Sequence, residues 1–203
     1  KVLHLTYDYP DIINPNKTSA IKQIIDITNE DENSHCISLN RTASIGDSIR
    51  DGPTVRDSIE KNSIGDSPTV KNTNVTALNT FGLPFGLLFT FTLYQSIKRV
   101  LSTGSDFTQF DIVHAHKLSF EGPIAYYLFR KFWLPYIITI QQTDFKVLKY
   151  KPLLKRYYFK ILSNAKYIVL VSPWMEEHLQ RAFGKKRIKL IAHKMRLIPL
   201  VVE

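Results

Sequence analysis

Short runs of β-branched and aromatic residues alternate along this chain with longer stretches in which apolar positions recur at three- and four-residue spacing. The first pattern is that of buried strands, the second that of amphipathic helices, and their alternation is the signature of a parallel α/β sheet. Strands are predicted over residues 2–6, 35–39, 75–78, 111–115, 136–140, 167–171 and 188–191. Between them, a helix starts near Thr18 and carries Ile21, Ile24, Ile25 and Thr28 on one face, and another spans 85–101, where Lys98-Arg99 and Gly104 mark its end. Ser119 is placed to cap a third helix whose apolar face is Phe120, Ile124, Tyr127 and Leu128. From Pro152 a stripe of Leu153, Leu154, Tyr157, Tyr158, Ile161 and Leu162 defines a fourth, with Lys151, Lys155, Arg156 and Lys160 largely off it. Ser172 and Pro173 read as the cap and first residue of a helix running through Phe183 and stopped by Gly184. The expectation is an α/β, Rossmann-like, doubly wound and mainly parallel sheet of about seven strands with helices on both faces.

One segment breaks the pattern. Residues 40–72 turn to Ser, Asp, Gly, Asn and charges with few large apolar residues in register, so a flexible loop is expected there. Within it Ser44-Ile45-Gly46-Asp47-Ser48 recurs as Ser63-Ile64-Gly65-Asp66-Ser67, and Pro53-Thr54-Val55 as Pro68-Thr69-Val70. Two copies at so short a spacing are no solenoid and read as a local duplication in a tolerant loop, the alternative being an ordered lobe that grips a ligand.

Polar residues close each predicted strand, which is where an open parallel sheet carries its chemistry. Asp111-Ile112-Val113-His114-Ala115-His116 ends in two imidazoles, and alternation turns both to one face of the sheet. Tyr136-Ile137-Ile138-Thr139-Ile140 opens into Gln141-Gln142-Thr143-Asp144, and Tyr167-Ile168-Val169-Leu170-Val171 closes on Ser172-Pro173. His116 is a candidate substrate contact, and His114 a candidate wall of the crevice. Asp144 is a candidate base or ligand for a substrate hydroxyl that would equally serve to cap the following turn or helix. Glu121, in the first turn of its helix, either meets substrate or answers the helix dipole. No third ligand accompanies the two histidines, and no metal is expected.

Composition narrows the setting. The chain has 203 residues, 44% of them hydrophobic, which suits one domain with a real core and excludes wholesale disorder. A single cysteine, Cys36, offers neither an internal disulfide nor a thiolate metal site and favours a reducing, cytoplasmic location. The net charge of +9 draws anionic partners. Nucleic acid is not expected, because no helix-turn-helix, zinc or stacking-platform pattern accompanies the charge. The apolar stretch 81–94 is interrupted by Gly82, Pro84 and Gly86 and falls short of the ~20 residues of a membrane span. Around 149–160, Lys149, Lys151, Lys155, Arg156 and Lys160 beside Tyr150, Tyr157 and Tyr158 could touch the inner face of the plasma membrane peripherally, or form an ordinary solvated face.

Three segments in this order carry a resemblance: 111–116, then Pro135-Tyr136-Ile137-Ile138-Thr139-Ile140 with Thr143-Asp144-Phe145, then Ala165-Lys166-Tyr167-Ile168-Val169-Leu170-Val171-Ser172. Lys189-Leu190-Ile191 and Leu197-Ile198-Pro199 look like a closing strand before an interdomain linker. Together they resemble the N-terminal, acceptor-side domain of GT-B fold glycosyltransferases of the retaining family 4. The resemblance implies transfer of a sugar from a nucleotide-sugar donor, used as co-substrate with no further cofactor, to a glycan or lipid-linked acceptor. It also implies that residues 1–203 are one Rossmann-like domain whose C-terminal nucleotide-sugar domain is absent, and that this chain alone is inactive. In the family, glycines after the first strand admit donor phosphates; here Asn16, Lys17 and Thr18 occupy that place and would supply charge and amides. Where many members place a histidine after the 136–140 strand, this chain has Gln141 and Gln142, which can bind a sugar hydroxyl but cannot shuttle a proton. Asp144 and His116 are the catalytic candidates that the resemblance leaves. The rival readings are a stand-alone glycan- or nucleotide-binding module and a subunit of a two-chain transferase. A dinucleotide-dependent epimerase is disfavoured by the lack of a glycine-rich fingerprint.

Overall fold

A computed structural model describes residues 1–10, 21–23, 25, 34–42, 54–56, 74–81 and 89–199. The chain resolves into two compact units, Lys1–Ser105 and Asp106–Glu203.

In the first unit, β1 (Val2–Thr6) pairs in parallel with β2 (Ser34–Thr42), Leu3 opposite His35 and Leu5 opposite Ile37. β2 pairs in parallel with β4 (Asn74–Phe81), Leu39 opposite Leu78. The short β3 (Thr54–Arg56) lies antiparallel on the far side of β4, giving the order β3-β4-β2-β1. Leu3, Leu5, Ile37 and Leu39 are fully buried, as β-branched and leucine runs are when both faces of a sheet are covered. Ile21 and Ile25, one helical turn apart, pack with Tyr9, Cys36 and Val75. Helix α1 (Phe89–Leu101) follows β4 and buries Phe89, Thr92, Ser96 and Val100. Its polar buried residues are answered: the Tyr7 hydroxyl and Ser96 Oγ lie 2.8 Å apart, and Ser96 Oγ donates to the Thr92 carbonyl at 2.8 Å.

The second unit is wholly parallel, in the order β5-β6-β7-β8. Its elements are β5 (Ile112–Ala115), α2 (Glu121–Phe132), β6 (Tyr136–Ile140), α3 (Gln142–Tyr150), α4 (Lys155–Asn164), β7 (Tyr167–Leu170), α5 (Trp174–Phe183), α6 (Lys185–Ile191) and β8 (Met195–Leu197). Val113, Ile138, Ile140 and Ile168 are fully buried in the sheet, with Ile124, Leu128, Ile161, Leu162 and Leu179 buried from the helices. The Tyr136 hydroxyl donates to the Ile161 carbonyl at 2.6 Å, so an aromatic at the start of β6 is satisfied by the backbone of α4.

The α/β, mainly parallel, Rossmann-like class is the one expected, and several boundaries differ. Strand β2 runs on to Thr42 and β3 occupies Thr54–Arg56, so two parts of the expected 40–72 loop are sheet; the rest of that segment lies outside the described residues. β3 is built on the first copy of the duplicated Pro-Thr-Val, and pairing with the long edge of β4 supplies the hydrogen bonds that composition alone does not forecast. The strand expected at 188–191 is instead α6, followed by β8. Gly184, at φ +92°, ends α5, and the chain winds again: Ile188 and Ile191 are buried while Leu190 is 70% exposed. That is the three-residue spacing of a helix, and a four-residue apolar run does not distinguish it from a strand. Ser119 is not the cap of α2; Phe120 holds that position without a side-chain bond, and both the Ser119 side chain and its amide turn to Asp144 instead. Helix α5 likewise starts at Trp174, with Pro173 preceding it and the Met175 amide donating to the Ser172 carbonyl. Leu153, expected in the buried stripe, is 93% exposed because 152–154 forms a 3-10 turn ahead of α4.

Candidate functional site

The C-terminal ends of β5 and β6 bring the second unit's polar residues together. His114 and His116 do share a face: their rings stack with centroids 4.1 Å apart. His114 Nε2 meets Thr139 Oγ1 of β6 at 2.8 Å, and burial pushes its pKa down to about 4, so it is a neutral imidazole at neutral pH. His116, one residue beyond the strand, is 1% exposed.

Asp144 lies in the first turn of α3 and is also 1% exposed. Its Oδ2 accepts from the Leu118 amide at 3.1 Å and the Gln141 amide at 2.9 Å, and its Oδ1 from the Ser119 amide at 2.8 Å. One carboxylate thus ties the loop after β5 to the loop after β6. Burial pushes its pKa up, and the three amides, which favour the charged form, pull against that shift. Tyr158 of α4 completes the tie, its hydroxyl donating to the Ser119 carbonyl at 2.9 Å. Burial, and then the nearby Asp144 carboxylate, hold that phenol above its ordinary range. The capping role open to Asp144 is the one its geometry displays.

Glu121 is fully buried at the start of α2, where the helix dipole favours a carboxylate. Gly122 beside it admits close packing: a Cβ there would meet Leu118 Cδ1 at 3.4 Å and Ile161 Cγ2 at 3.6 Å. Gln141 is half-buried at the mouth of α3, and Gln142 is exposed in its first turn. Asn16, Lys17 and Thr18 lie outside the described residues.

Sequence reasoning missed a second concavity. Between α3 and α5 lies a groove of about 420 Å³ whose lining includes Gln142, Phe145, Trp174 and His178 with Lys146 and Lys149. Trp174 and His178 are one helical turn apart on α5, which was the available signal, but their meeting with Phe145 of α3 is tertiary.

The comparisons with known proteins agree with this architecture. The sequence profile described as Glycosyltransferase Family 4 matches residues 55–197, most of the chain, and the chain belongs to that family. Its GT-B-like, Rossmann-type fold is shared with a sucrose-phosphate synthase segment from Thermosynechococcus elongatus, at TM-score 0.56 and 16% identity, over 100% of this chain and 90% of that one. It is shared also with Anabaena Alr3699/HepE solved in complex with UDP-glucose, at TM-score 0.54 and 9% identity. That alignment covers 100% of this chain but 44% of the HepE chain, so the present chain spans under half of that relative's length. No curated protein matches the chain by sequence.

Proposed function

We propose that this chain is the acceptor-side half of a retaining, nucleotide-sugar-dependent glycosyltransferase that acts on a glycan or lipid-linked acceptor and needs a second domain for turnover. The observation that carries the reading is the convergence of His114, His116, Gln141 and the Asp144 tie at the ends of β5 and β6, in a chain belonging to family 4. HepE, of which this chain matches 44%, was solved with UDP-glucose, which supports a nucleotide-sugar donor here.

In this reading the glutamines 141 and 142 face the acceptor, while His116, 1% exposed and stacked on His114, is a positioning residue with Asp144 and Glu121. With its two oxygens already accepting three amides and 1% of its surface exposed, the Asp144 carboxylate has no open face to offer a sugar hydroxyl. Its value is to fix the loops at 117–120 and 141 within the narrow tolerance that group transfer needs. Asn16, Lys17 and Thr18 would approach the donor diphosphate, whose charge the second domain mainly stabilises as the anomeric bond breaks. Among the described residues no helix is long and apolar enough to cross a membrane. Peripheral membrane contact is supported by the corner of α3 and α4, where Tyr150 is 76% and Leu153 93% exposed beside Lys149 and Lys151.

The test is the mass of the native polypeptide in source cells, read by immunoblot and intact mass. A product of roughly twice this chain's mass, as a second domain of ordinary size requires, supports the reading. A product of this chain's 23.5 kDa would favour a binding module or a two-chain enzyme.

A further inference from the structure

The groove between α3 and α5 has a chemistry that the transferase reading does not use. Its floor is aromatic: Phe145 lies 5.5 Å from Trp174 and 5.3 Å from His178, and Trp174 meets His178 edge to face at 4.7 Å between ring centroids. The His178 Nδ1 lies 3.0 Å from the Trp174 carbonyl oxygen, which fixes the imidazole on the helix surface. The interplanar angles of 51°, 59° and 76° make a faceted floor and not the parallel slot that a planar base would enter. Such facets suit the C–H-bearing face of a pyranose, which aromatic rings bind by apolar contact.

The rim is cationic. Lys146, Lys149 and Lys155 border the groove, and none of its described lining residues is acidic. A fourth cation, Arg181, is held at 2.6 Å by Glu177 on its own helix and contributes little net charge. Three lysines beside an apolar floor would bind a neutral sugar no better than the floor alone does, whereas an acidic group on the sugar gains charge-assisted hydrogen bonds. Gln142, in the first turn of α3, lines the same groove, so it opens toward the end of β6 where the candidate site lies. About 420 Å³ lies within the ~300–1,000 Å³ of small-molecule sites.

We propose that this groove binds a sugar unit bearing an acidic group, the ring resting on Phe145, Trp174 and His178 and the acid held by Lys146, Lys149 and Lys155. This rests on the acceptor-side reading and narrows it: the acceptor is an anionic saccharide, charged through a phosphate or a carboxylate.

Trp174 is its own reporter once Trp133, which stands outside the groove, is changed to phenylalanine, since the chain has two tryptophans. The 203-residue Trp133→Phe chain is titrated at low salt with glucose 1-phosphate, glucuronate, glucose and inorganic phosphate, following Trp174 emission. The expected result is a saturable change with at least one of the two anionic sugars, glucose and phosphate being tenfold or more weaker. Which anionic sugar binds tighter identifies the acid. Adding Lys149→Gln with Lys155→Gln, surface changes whose folding is checked by circular dichroism, is expected to weaken that binding at least tenfold. No saturable change with either anionic sugar, an equal response to glucose or to phosphate, or binding indifferent to the two substitutions overturns the proposal. Binding without sugar transfer by the native polypeptide would sink the transferase reading alone, and transfer without binding would sink the subsite alone.

Discussion

Removing the Asp144 carboxylate tests the tie between the two loops. In Asp144→Ala the amides of Leu118, Ser119 and Gln141 lose their acceptor together. Each unsatisfied buried donor costs about 1–3 kcal/mol. Local relaxation and water entry recover part of that sum, so the expected loss is about 3–5 kcal/mol, at the severe end for a single substitution. Asp144→Asn separates charge from shape. Its one carbonyl oxygen can take the Oδ2 place and keep the Leu118 and Gln141 amides, while its NH2 then faces the Ser119 N–H, donor against donor. One of three bonds is lost, and about 1–2 kcal/mol with it. In urea, with m near ~2 kcal/mol/M, the midpoint should fall by about 2 M for alanine and about 0.5–1 M for asparagine, m being unchanged. A midpoint shift below about 0.3 M for alanine, or equal shifts for both variants, would refute the claim that this carboxylate clamps the loops.

Three further outcomes follow from other residues. His114, held near pKa 4 by burial, takes up its proton in the native state well below the ~6.5 of an unfolded chain, so between those values the unfolded state binds more protons and stability falls as pH drops. The loss by pH 4 is about 3 kcal/mol, and His114→Gln should flatten the slope between pH 6.5 and 4; an unchanged slope contradicts the assignment. His35, also shifted down by burial, contributes in the same direction. Ile188→Asp should cost more than ~3 kcal/mol while Leu190→Asp stays within ~0.5 kcal/mol, because only the first is buried on α6; equal costs would restore the strand expected there. Tyr150→Ser with Leu153→Ser should leave thermal stability unaltered and lower affinity for anionic-lipid vesicles, whereas unaltered vesicle binding removes the membrane contact.

The strands at the heart of each unit were legible because fully buried parallel strands are written as continuous apolar runs, as in Tyr136-Ile137-Ile138-Thr139-Ile140. Their polar ends were legible for the same reason: the change from Ile140 to Gln141 marks where the sheet stops. That His114 and His116 share a face followed from strand alternation, whereas the stacking of their rings did not. What escaped was decided by partners distant in sequence. Thr54–Arg56 is a strand because β4 offers it an edge, and Ser119 is no cap because Asp144, twenty-five residues on, engages its side chain as well as its amide. The run Ile188-Lys189-Leu190-Ile191 fits either period, and the preceding turn at Gly184 decides it. The aromatic floor of the α3–α5 groove joins residues about thirty positions apart, which no local pattern announces.

The central claim is that this chain grips the acceptor for a reaction completed by a second domain. It is tested most directly by following label from a panel of radiolabelled nucleotide-sugars into glycan and lipid extracts of the source cells. The native polypeptide and the 203-residue chain are compared at equal concentration. The account predicts transfer by the native polypeptide from at least one donor, and none above background by the 203-residue chain. Transfer at a similar rate by the isolated chain, or none from any donor by the native polypeptide, would contradict it.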